Sequence, residues 1–233
     1  MSFLFRYACM KMKISANLTI SRYEWAEHCL QELLPQSPSY IVSDIGAGDG
    51  RMRSPTEAAG GRWQGFDIAP QLPEIHSWNL DYPAQDNFQP AGAILMLDVL
   101  EHLSNPWLGI QHLANTLLPG GFLILTVPNP RWSRSRLYAL AKGYPACFTQ
   151  SDLDINHHVF TPWPHIVEKL LTDTGFSIES YVTLDGPTAL PGSPYNLRYP
   201  LRYAFALLNR GIERYDPTAC GMSYGIVAQK EKR

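Results

Sequence analysis

The sequence has little charge, and neither sign predominates. Only 17% of its 233 residues are Asp, Glu, Lys or Arg, against about 25% in an average globular protein. The 19 basic and 21 acidic residues give a net charge of −2 when the seven histidines are neutral. Without a basic excess, counterion release cannot drive binding to DNA or RNA, so bulk nucleic acid is excluded as a partner. The 45% hydrophobic content excludes an acidic disordered chain.

Cysteine is scarce, and its positions match no zinc motif. The four cysteines are far apart, and none belongs to a Cys-x-x-Cys pair: Cys9, Cys29, Cys147 and Cys220. We therefore expect neither a disulfide framework nor a structural metal site, and we interpret these cysteines as buried free thiols.

Long apolar runs are also missing. No stretch of ~18 apolar residues is present to span a membrane. Between Met1 and Lys13, basic residues interrupt the apolar ones, whereas a secretory signal needs an unbroken apolar run of ~7–15 residues. We therefore expect a cytoplasmic protein.

Short apolar runs that end at polar residues alternate with helical patterns. Strands are expected at 40–44, 63–67, 75–80, 91–98, 122–127, 176–184 and 222–229. Helices are expected at 21–34, where Ser21 and Glu24 form a capping box, and at 106–118 and 164–174. Pro119-Gly120-Gly121 is expected to end the second of these. Continuous apolar strands between helices indicate a parallel α/β sheet with helices on both faces.

The order of these elements favours one domain over residues 1–233. It comprises an N-terminal helical segment at 1–38, a core at 39–185, an insertion at 186–221, and a last strand and tail at 222–233. Within the insertion, residues 190–215 contain Pro191, Pro194 and Pro200, followed by a helical stretch at 201–210. Connections longer than ~12–15 residues usually serve a site or are mobile, so we interpret this one as a cap over the active site. A helix packed on the sheet is the alternative.

A glycine-rich turn follows the first strand of the core. Asp44 precedes glycines at positions 46, 48 and 50, and glycines allow both a sharp turn and close approach to a ligand. A dinucleotide fingerprint would need glycine at position 51, which is Arg51. Asp44 suits a cofactor with an ammonium group and would repel a pyrophosphate. Asp67 ends the second strand, where a carboxylate can accept both hydrogen bonds of a ribose diol.

With these motifs the chain resembles the class I S-adenosylmethionine-dependent methyltransferases, of the small-molecule type that includes the ubiquinone-pathway O-methyltransferases. The resemblance covers roughly Ser39 to Thr183. It rests on VSDIGAGDG at 42–50, GFDIAP at 65–70, LMLDVLEHLSNP at 95–106, LLPGGFLILTVPN at 117–129, and HHVFT at 157–161 before a helix ending in TGF at 174–176. It implies a Rossmann-like, mostly parallel sheet of seven strands in the order 3-2-1-4-5-7-6, with S-adenosylmethionine as cofactor.

The resemblance also implies the residues that hold this cofactor. They are Asp44, Gly46, Ala47, Gly48, Gly50, Asp67, Ile68, Asn79, Leu80, Leu97, Asp98, Val99 and His102. Asp44 and the glycine amides would hold the methionine part, and Asp67 the ribose. Residues 68, 79 and 80 would contact adenine, with Asp81 as an alternative to 79–80, and residues 97–99 would lie beside the methyl group. A second capping box, Ser54 with Glu57, predicts a helix that starts late after the glycines.

Two adjacent histidines, His157 and His158, are the candidates for the catalytic base. They follow a polar stretch between the fifth strand and its helix, at the end of the sheet that faces the site. A neutral histidine is the usual base for a hydroxyl acceptor. The alternative is that both are structural, capping the next helix or binding backbone carbonyls.

Asp98, Glu101 and His102 form a second constellation. Their spacing of i, i+3 and i+4 places them on one side of a helical turn. In some relatives such a set binds a divalent metal, and an oxygen-rich set with one imidazole could hold magnesium. The alternative, which we favour, has no metal: His102 packs on the cofactor and Glu101 orients the loop.

Arginines cluster in two places near the expected site. Arg131, Arg134 and Arg136 follow the fifth strand and could clamp a phosphate or carboxylate of the acceptor, or form a solvated loop. The segment 195–215 adds arginines among aromatic and apolar residues: Arg198, Arg202, Arg210 and Arg214. It could grip an amphiphilic acceptor, lie on a membrane surface or form a homodimer contact.

The sequence thus predicts a methyltransferase that acts on an oxygen of a small or lipid-like acceptor. A nitrogen acceptor is the nearest alternative. A nicotinamide oxidoreductase would need the missing pyrophosphate glycine, and a non-catalytic S-adenosylmethionine-binding subunit is the alternative outside enzymes.

Overall fold

The computed structural model describes residues 16–84, 88–191 and 199–232. Cys9, the segment from Met1 to Lys13, Pro194 and Arg198 lie outside the described residues. Within the described part, no helix is both long and apolar enough to cross a membrane.

The described residues form eight strands and seven α-helices. The strands are β1 Ala16–Asn17, β2 Ile41–Ile45, β3 Arg62–Asp67, β4 Ile75–Ser77, β5 Ala91–Leu97, β6 Leu117–Pro128, β7 Phe176–Leu184 and β8 Ser223–Lys230. The helices are α1 Arg22–Leu33, α2 Arg53–Ala58, α3 Pro106–Thr116, α4 Ser133–Lys142, α5 Gln150–Asn156, α6 Pro164–Asp173 and α7 Tyr199–Tyr215. Short 3₁₀ turns lie at Leu34–Gln36, Leu100–His102 and Pro217–Ala219.

All eight strands belong to one sheet, in the order β4-β3-β2-β5-β6-β8-β7-β1. Only β8 is antiparallel to its neighbours, β6 and β7. The prediction of seven strands is therefore wrong, because β1 adds an edge strand parallel to β7. Two residues, Ala16 and Asn17, are too short a run to produce an apolar pattern in the sequence. The other seven strands follow the order that the resemblance implies.

The central strands are buried on both faces. Ile94 and Met96 of β5 pack in the hydrophobic cluster that contains residues of α3 and α6. Leu95, between them, packs in the cluster that contains Trp25 and Leu30 of α1. Successive side chains of a strand point to opposite faces, so the sheet separates two apolar layers. This burial explains much of the low charge of the sequence.

The first predicted capping box is confirmed, whereas the second is wrong. The Ser21 hydroxyl accepts from the Glu24 amide at 3.3 Å, and the Ser21 amide donates to the Glu24 carboxylate at 2.9 Å. No side chain caps α2, and Ser54 lies inside that helix. There, Glu57 pairs instead with Arg53 at 3.0 Å.

Several element boundaries differ from those predicted, most of all at the start of β6 and the end of β4. Pro119-Gly120-Gly121 does not end a helix, because Leu117 already pairs with Ala91 and begins β6. The register shifts between Ala91 and Ala93, which accommodates the glycines within the strand. Helices α4 and α5 lie in stretches that we did not predict to be helical. The strand predicted at 75–80 ends at Ser77.

Candidate active site

The glycine turn after β2 is held against the end of β3. The amides of Gly46 and Ala47 both donate to the Phe66 carbonyl, at 2.8 and 3.0 Å. Gly46 and Gly48 have φ values of +71° and +54°, in the left-handed region that favours glycine. A Cβ on Gly46 would lie 2.4 Å from Val99 Cγ2, whereas one on Gly48 would make only an ordinary contact, at 3.9 Å from the Gly46 carbonyl oxygen. The turn therefore requires glycine at position 46 and leaves room at Gly48 for a ligand.

Asp67 is oriented by the same turn. Its Oδ2 accepts from the Gly48 amide at 3.0 Å, and its Oδ1 accepts from the Ala69 amide at 2.9 Å. A carboxylate has about four acceptor positions, so two remain for further donors. This arrangement gives the C-terminal end of β3 a fixed acceptor pair.

Asp44 is only 3% exposed. Burial raises the pKa of its carboxyl to about 6, and the nearby Asp67 and Asp49 act in the same direction. The hydrogen bond that Trp63 Nε1 donates to Asp44, at 3.0 Å, opposes this rise. The Trp63 ring packs over Gly65, where a Cβ would lie only 2.4 Å from the ring carbon Cη2. Trp63 is therefore a residue of the site that our sequence interpretation missed, since it carries no motif signal.

Asp44 and the glycine turn border a cavity of about 310 Å³, whose described lining does not include Asp67 or Trp63. Of the predicted cofactor residues, its lining contains Asp44, Gly46, Ala47, Gly48 and Leu97. It also contains residues that we did not predict, namely Tyr23, Asp49, Arg51, Met52 and Gln71. Nothing in the sequence connects the start of α1, where Tyr23 lies, to the glycine turn.

The residues predicted to contact adenine lie outside this lining. The Ile68 side chain is 69% exposed, so it offers a free apolar face. Leu80 is buried, and its carbonyl is 2.8 Å from Nδ1 of His112. Asn79 accepts from the Asp81 amide at 2.9 Å. Gly50 and Val99 do not line the cavity either, and Val99 packs against Gly46.

A second cavity, of about 430 Å³, adjoins the first. Arg22 and Asp98 line it, while their chain neighbours Tyr23 and Leu97 line the first cavity. His102, His158 and other residues complete its wall, among them Glu101, Cys147 and Asp152. The dipeptides Arg22–Tyr23 and Leu97–Asp98 therefore form part of a partition between the two cavities.

Asp98 forms an ion pair with Arg22 of α1. Arg22 Nη1 lies 3.0 Å from its Oδ2, and Thr126 Oγ1 donates to its Oδ1 at 2.9 Å. Burial raises the pKa of Asp98, although Arg22 and Thr126 act against this. With φ at +53°, Asp98 precedes the 3₁₀ turn rather than sharing a helical face with Glu101 and His102. The expected helical turn is therefore wrong, although Asp98, Glu101 and His102 all line the second cavity.

The structure groups Glu101 and His102 with His158 instead. One potential ligand atom from each lies within 4.8 Å of the others. Glu101 is 1% exposed, and burial together with Asp98 raises its pKa well above the ordinary value. Among the described residues its Oε2 has no hydrogen-bond partner. Such a set could bind a divalent metal, or a protonated Glu101 could donate a hydrogen bond.

The two candidate histidines occupy different environments. His158 lines the second cavity, and its Nδ1 lies 2.6 Å from the Cys147 carbonyl. Its ring contacts that of His102, with centroids 5.0 Å apart. Burial and His158 lower the pKa of His102. His157 is exposed and ends α5 with φ at +55°, and it lines neither cavity.

Helix α7, which lies in the predicted cap, is anchored to α4. Glu213 of α7 accepts from Ser133 of α4 at 2.7 Å, and Arg136 of α4 pairs with Asp216 at 2.5 Å. Arg136 is thus occupied and is not free to clamp an anion.

Of the described cysteines, Cys29 and Cys220 are buried, as predicted, and Cys147 is partly buried.

Comparisons with known proteins identify the fold around these cavities. A family described as a methyltransferase domain matches residues 20–181. The chain belongs to this family. It is an S-adenosylmethionine-dependent methyltransferase. A search of curated proteins finds no match.

Solved structures of similar fold share little sequence with the chain. A methyltransferase solved in complex with the Trm112 activator of Haloferax volcanii has 16% identity and a TM-score of 0.59, over 90% of each chain. An S-adenosylmethionine-dependent methyltransferase of Archaeoglobus fulgidus has 17% identity and a TM-score of 0.55, over 90% of this chain and 95% of that one. The plantazolicin methyltransferase BamL, solved with S-adenosylhomocysteine, has 12% identity and a TM-score of 0.54, over 91% and 85%.

The residues around the first cavity fit S-adenosylmethionine. Asp44 in the lining supplies a carboxylate for an ammonium group, and Asp67, bonded to the Gly48 amide beside the cavity, supplies one for a ribose diol. In the described lining Arg51 is paired with Asp49, so the carboxylates Asp44 and Asp49 outnumber the cations that could bind a pyrophosphate. The donors and acceptors therefore match a cofactor with positive charge and hydroxyl groups.

Proposed function

We propose that the enzyme methylates an oxygen of a small or lipid-like, amphiphilic acceptor, with His158 as the base. The proposal includes the resemblance to ubiquinone-pathway O-methyltransferases, from which the oxygen acceptor was predicted. The observation that carries it is the hydrogen bond at His158. A carbonyl can only accept, so the Cys147 carbonyl keeps the proton on Nδ1, and Nε2 retains a lone pair. Nε2 can then take the proton of an acceptor hydroxyl in the second cavity.

S-adenosylmethionine supplies an electrophilic methyl group on a sulfonium when it is bound. Asp44, Asp67 and the amides of the glycine turn would hold it in the first cavity. Arg22 and Asp98 form part of the partition, and their ion pair gives that wall a fixed shape. Holding the acceptor collinear with the methyl group accounts for most of the catalysis expected of such a transfer.

A metal-assisted version is favoured by one specific observation, the unpartnered Oε2 of Glu101 beside His102 and His158. A divalent ion there would lower the pKa of an acceptor hydroxyl directly. Chelation distinguishes the two versions. With His158 as base, activity persists after dialysis against EDTA, whereas loss of activity that added Mg²⁺ or Mn²⁺ restores favours the metal.

The first experiment is calorimetry with S-adenosylhomocysteine on the isolated chain. One of the similar structures is a complex with an activator protein. If this enzyme also needs a second protein for turnover, cofactor binding can still be measured on the isolated chain, so it is measured first. Next, a cell extract is incubated with enzyme and isotopically labelled S-adenosylmethionine, and mass spectrometry identifies the labelled product. A labelled nitrogen would favour the alternative acceptor. Cofactor binding without a labelled product would favour a non-catalytic binding subunit.

His158→Ala tests the base, and His157→Ala is the matched control. We expect His158→Ala to slow turnover at least 100-fold with unchanged S-adenosylhomocysteine affinity, because general-base catalysis typically contributes about 10²–10⁴-fold. His157 lies outside both cavities, so His157→Ala should retain the wild-type rate. Full activity in His158→Ala would exclude it as the base.

A further inference from the structure

A third cavity, of about 780 Å³, lies between α4, α7 and the chain that follows β7. Its lining is largely aromatic and aliphatic, and includes Trp132, Tyr138, Leu201, Phe205 and Ala206. This volume lies within the 300–1,000 Å³ typical of small-molecule sites. The mechanism proposed above does not use this space.

The cavity opens beside the second cavity. Met222 lines both of them. Asp185 lines the third cavity and interacts electrostatically with Arg22 and Asp98 of the second. The third cavity therefore borders, at Met222, the cavity that His158 lines.

Polar contacts hold the walls of this cavity in place. Glu213 of α7 accepts from the Thr188 amide at 3.0 Å, in addition to its bond from Ser133 of α4. Arg210 donates to the Thr188 carbonyl at 2.9 Å. These bonds connect α7 to α4 and to the chain after β7, so the cavity is preformed.

Among the described residues, the charged groups of the lining are two cations, Arg134 and Arg202, and one anion, Asp185. Arg134 lies over the rings of Trp132 and Tyr138, 5.7 Å from each centroid, and Arg202 of α7 lines the same cavity. Among the described residues, neither guanidinium pairs with a carboxylate, in contrast to Arg136, which pairs with Asp216. Unpaired guanidinium groups beside apolar surface suit a carboxylate or phosphate on an apolar molecule.

A buried acceptor in the wall lacks a partner. Asn209 is 4% exposed and lines the cavity. Its Nδ2 donates to the Phe205 carbonyl at 2.9 Å, but within the described residues its Oδ1 accepts no hydrogen bond. Leaving a buried acceptor unsatisfied is costly, so a ligand that donates to Oδ1 gains binding energy there.

We propose that the third cavity binds the body of the methyl acceptor. The occupant is an amphiphile with an apolar chain or ring system, an anionic group for Arg134 and Arg202, and a hydroxyl or amide donor for Asn209. The identification of this occupant as the methyl acceptor rests on the proposed function. The binding of such an amphiphile is independent of the proposed function, because it is argued from the cavity alone.

Calorimetry with three matched probes, kept below their micelle concentrations, tests the chemistry of the cavity. N-dodecanoylglycine has the chain, the carboxylate and an amide donor. N-dodecanoylglycinamide lacks the charge, and dodecanoyloxyacetate lacks the amide donor. We expect the first to bind at least tenfold more tightly than the second and severalfold more tightly than the third. Equal affinities for all three would overturn the proposal.

Variants of α7 locate the probe. Ala206 lines the cavity and Ala204 is exposed outside it, so Ala206→Trp should weaken N-dodecanoylglycine binding at least tenfold and Ala204→Trp less than twofold. Arg202→Ala should weaken it about tenfold, because a charge-assisted hydrogen bond contributes about 1.5–3 kcal/mol. Arg214→Ala, an exposed change on the same helix, is its control. Asn209→Leu should abolish the preference for amide over ester.

Cofactor binding distinguishes failure of this inference from failure of the proposed function. Each variant should retain wild-type S-adenosylhomocysteine affinity and circular dichroism, which shows that it is folded. Probe binding that Ala206→Trp leaves unchanged would place the site elsewhere and overturn the inference, whatever the enzyme methylates. Probe binding lost in Ala206→Trp, without any methylated product, would support the cavity and contradict the methyl-transfer proposal.

Discussion

Asp44 carries its charge at a position where burial opposes ionisation. The carboxyl is almost fully buried, and its pKa is raised to about 6. A pKa raised in the folded state means that Asp44 contributes stability below its unfolded pKa, 3.8, and that this contribution is lost as the pH rises through about 6. At neutral pH the free enzyme therefore retains an unfavourable charge beside the glycine turn. An ammonium group in the first cavity would compensate for it.

We predict that Asp44→Asn stabilises the free enzyme at pH 8. A shift of about two pKa units corresponds to at most about 3 kcal/mol in the free energy of unfolding, and the gain should be smaller at pH 5. Urea unfolding at the two pH values measures it. The same variant should lose at least tenfold in S-adenosylhomocysteine affinity. Asp49→Asn, at an exposed residue paired with Arg51, is the control and should give no stabilisation. No gain for Asp44→Asn at pH 8 would contradict the prediction.

The adjacent histidines show what residue identity alone leaves open. His157 and His158 have the same side chain and neighbouring positions, and the sequence offered no reason to prefer either. The left-handed backbone at His157 ends α5 and turns its side chain to solvent, while His158 enters the second cavity. The choice depends on where the chain turns, which the local pattern does not specify.

At the scale of elements, α1 connects the sheet to both cavities. Its capping box fixes the first turn, and that turn carries Tyr23 into the first cavity and Arg22 into the second. The helix itself was predictable from Ser21, Glu24 and the apolar period. Its role in the site was not, because the Arg22–Asp98 pair joins residues 76 positions apart.

We predict that Ser21→Ala destabilises the enzyme by about 1 kcal/mol, the usual cost of losing an N-cap. Guanidinium unfolding measures this change. Ser54→Ala is the matched control, because Ser54 lies inside α2 and caps nothing, so its change should be near zero. Equal destabilisation by the two substitutions would show that the Ser21 cap is unimportant.

A second prediction at this scale concerns the glycine turn. Gly46→Ala places a Cβ 2.4 Å from Val99 Cγ2 and also imposes the left-handed strain of about 1–2 kcal/mol. Gly60 has φ at +83° with open space around it, so Gly60→Ala imposes the strain alone. In thermal unfolding, Gly46→Ala should lose more stability than Gly60→Ala. Only Gly46→Ala should weaken S-adenosylhomocysteine binding in calorimetry. A larger loss of stability in Gly60→Ala than in Gly46→Ala would contradict the prediction, because it would mean that the Val99 side chain moves aside without loss of stability.

At the scale of the whole molecule, the first cavity lies where β2 and β5 end, so a ligand there contacts elements that are distant in sequence. S-adenosylhomocysteine at 100 times its Kd should raise the free energy of unfolding by about 2.7 kcal/mol. Differential scanning calorimetry measures the corresponding rise in Tm. At the same ligand concentration, Asp67→Ala should show a much smaller rise, because its affinity is at least tenfold lower. A full rise in that variant would remove Asp67 from the ribose site.

The sequence by itself determined the strands of the core, their parallel arrangement through the family resemblance, and the glycine turn with Asp44 and Asp67. These features are encoded locally, because a doubly buried strand is a continuous apolar run and a tight turn needs glycine. Only the tertiary structure decided that β1 joins β7, that Asp98 pairs with Arg22, and that Glu101 lies beside His158. Each of these depends on contacts between distant segments, and burial and charge pairing select such contacts only once the chain has folded.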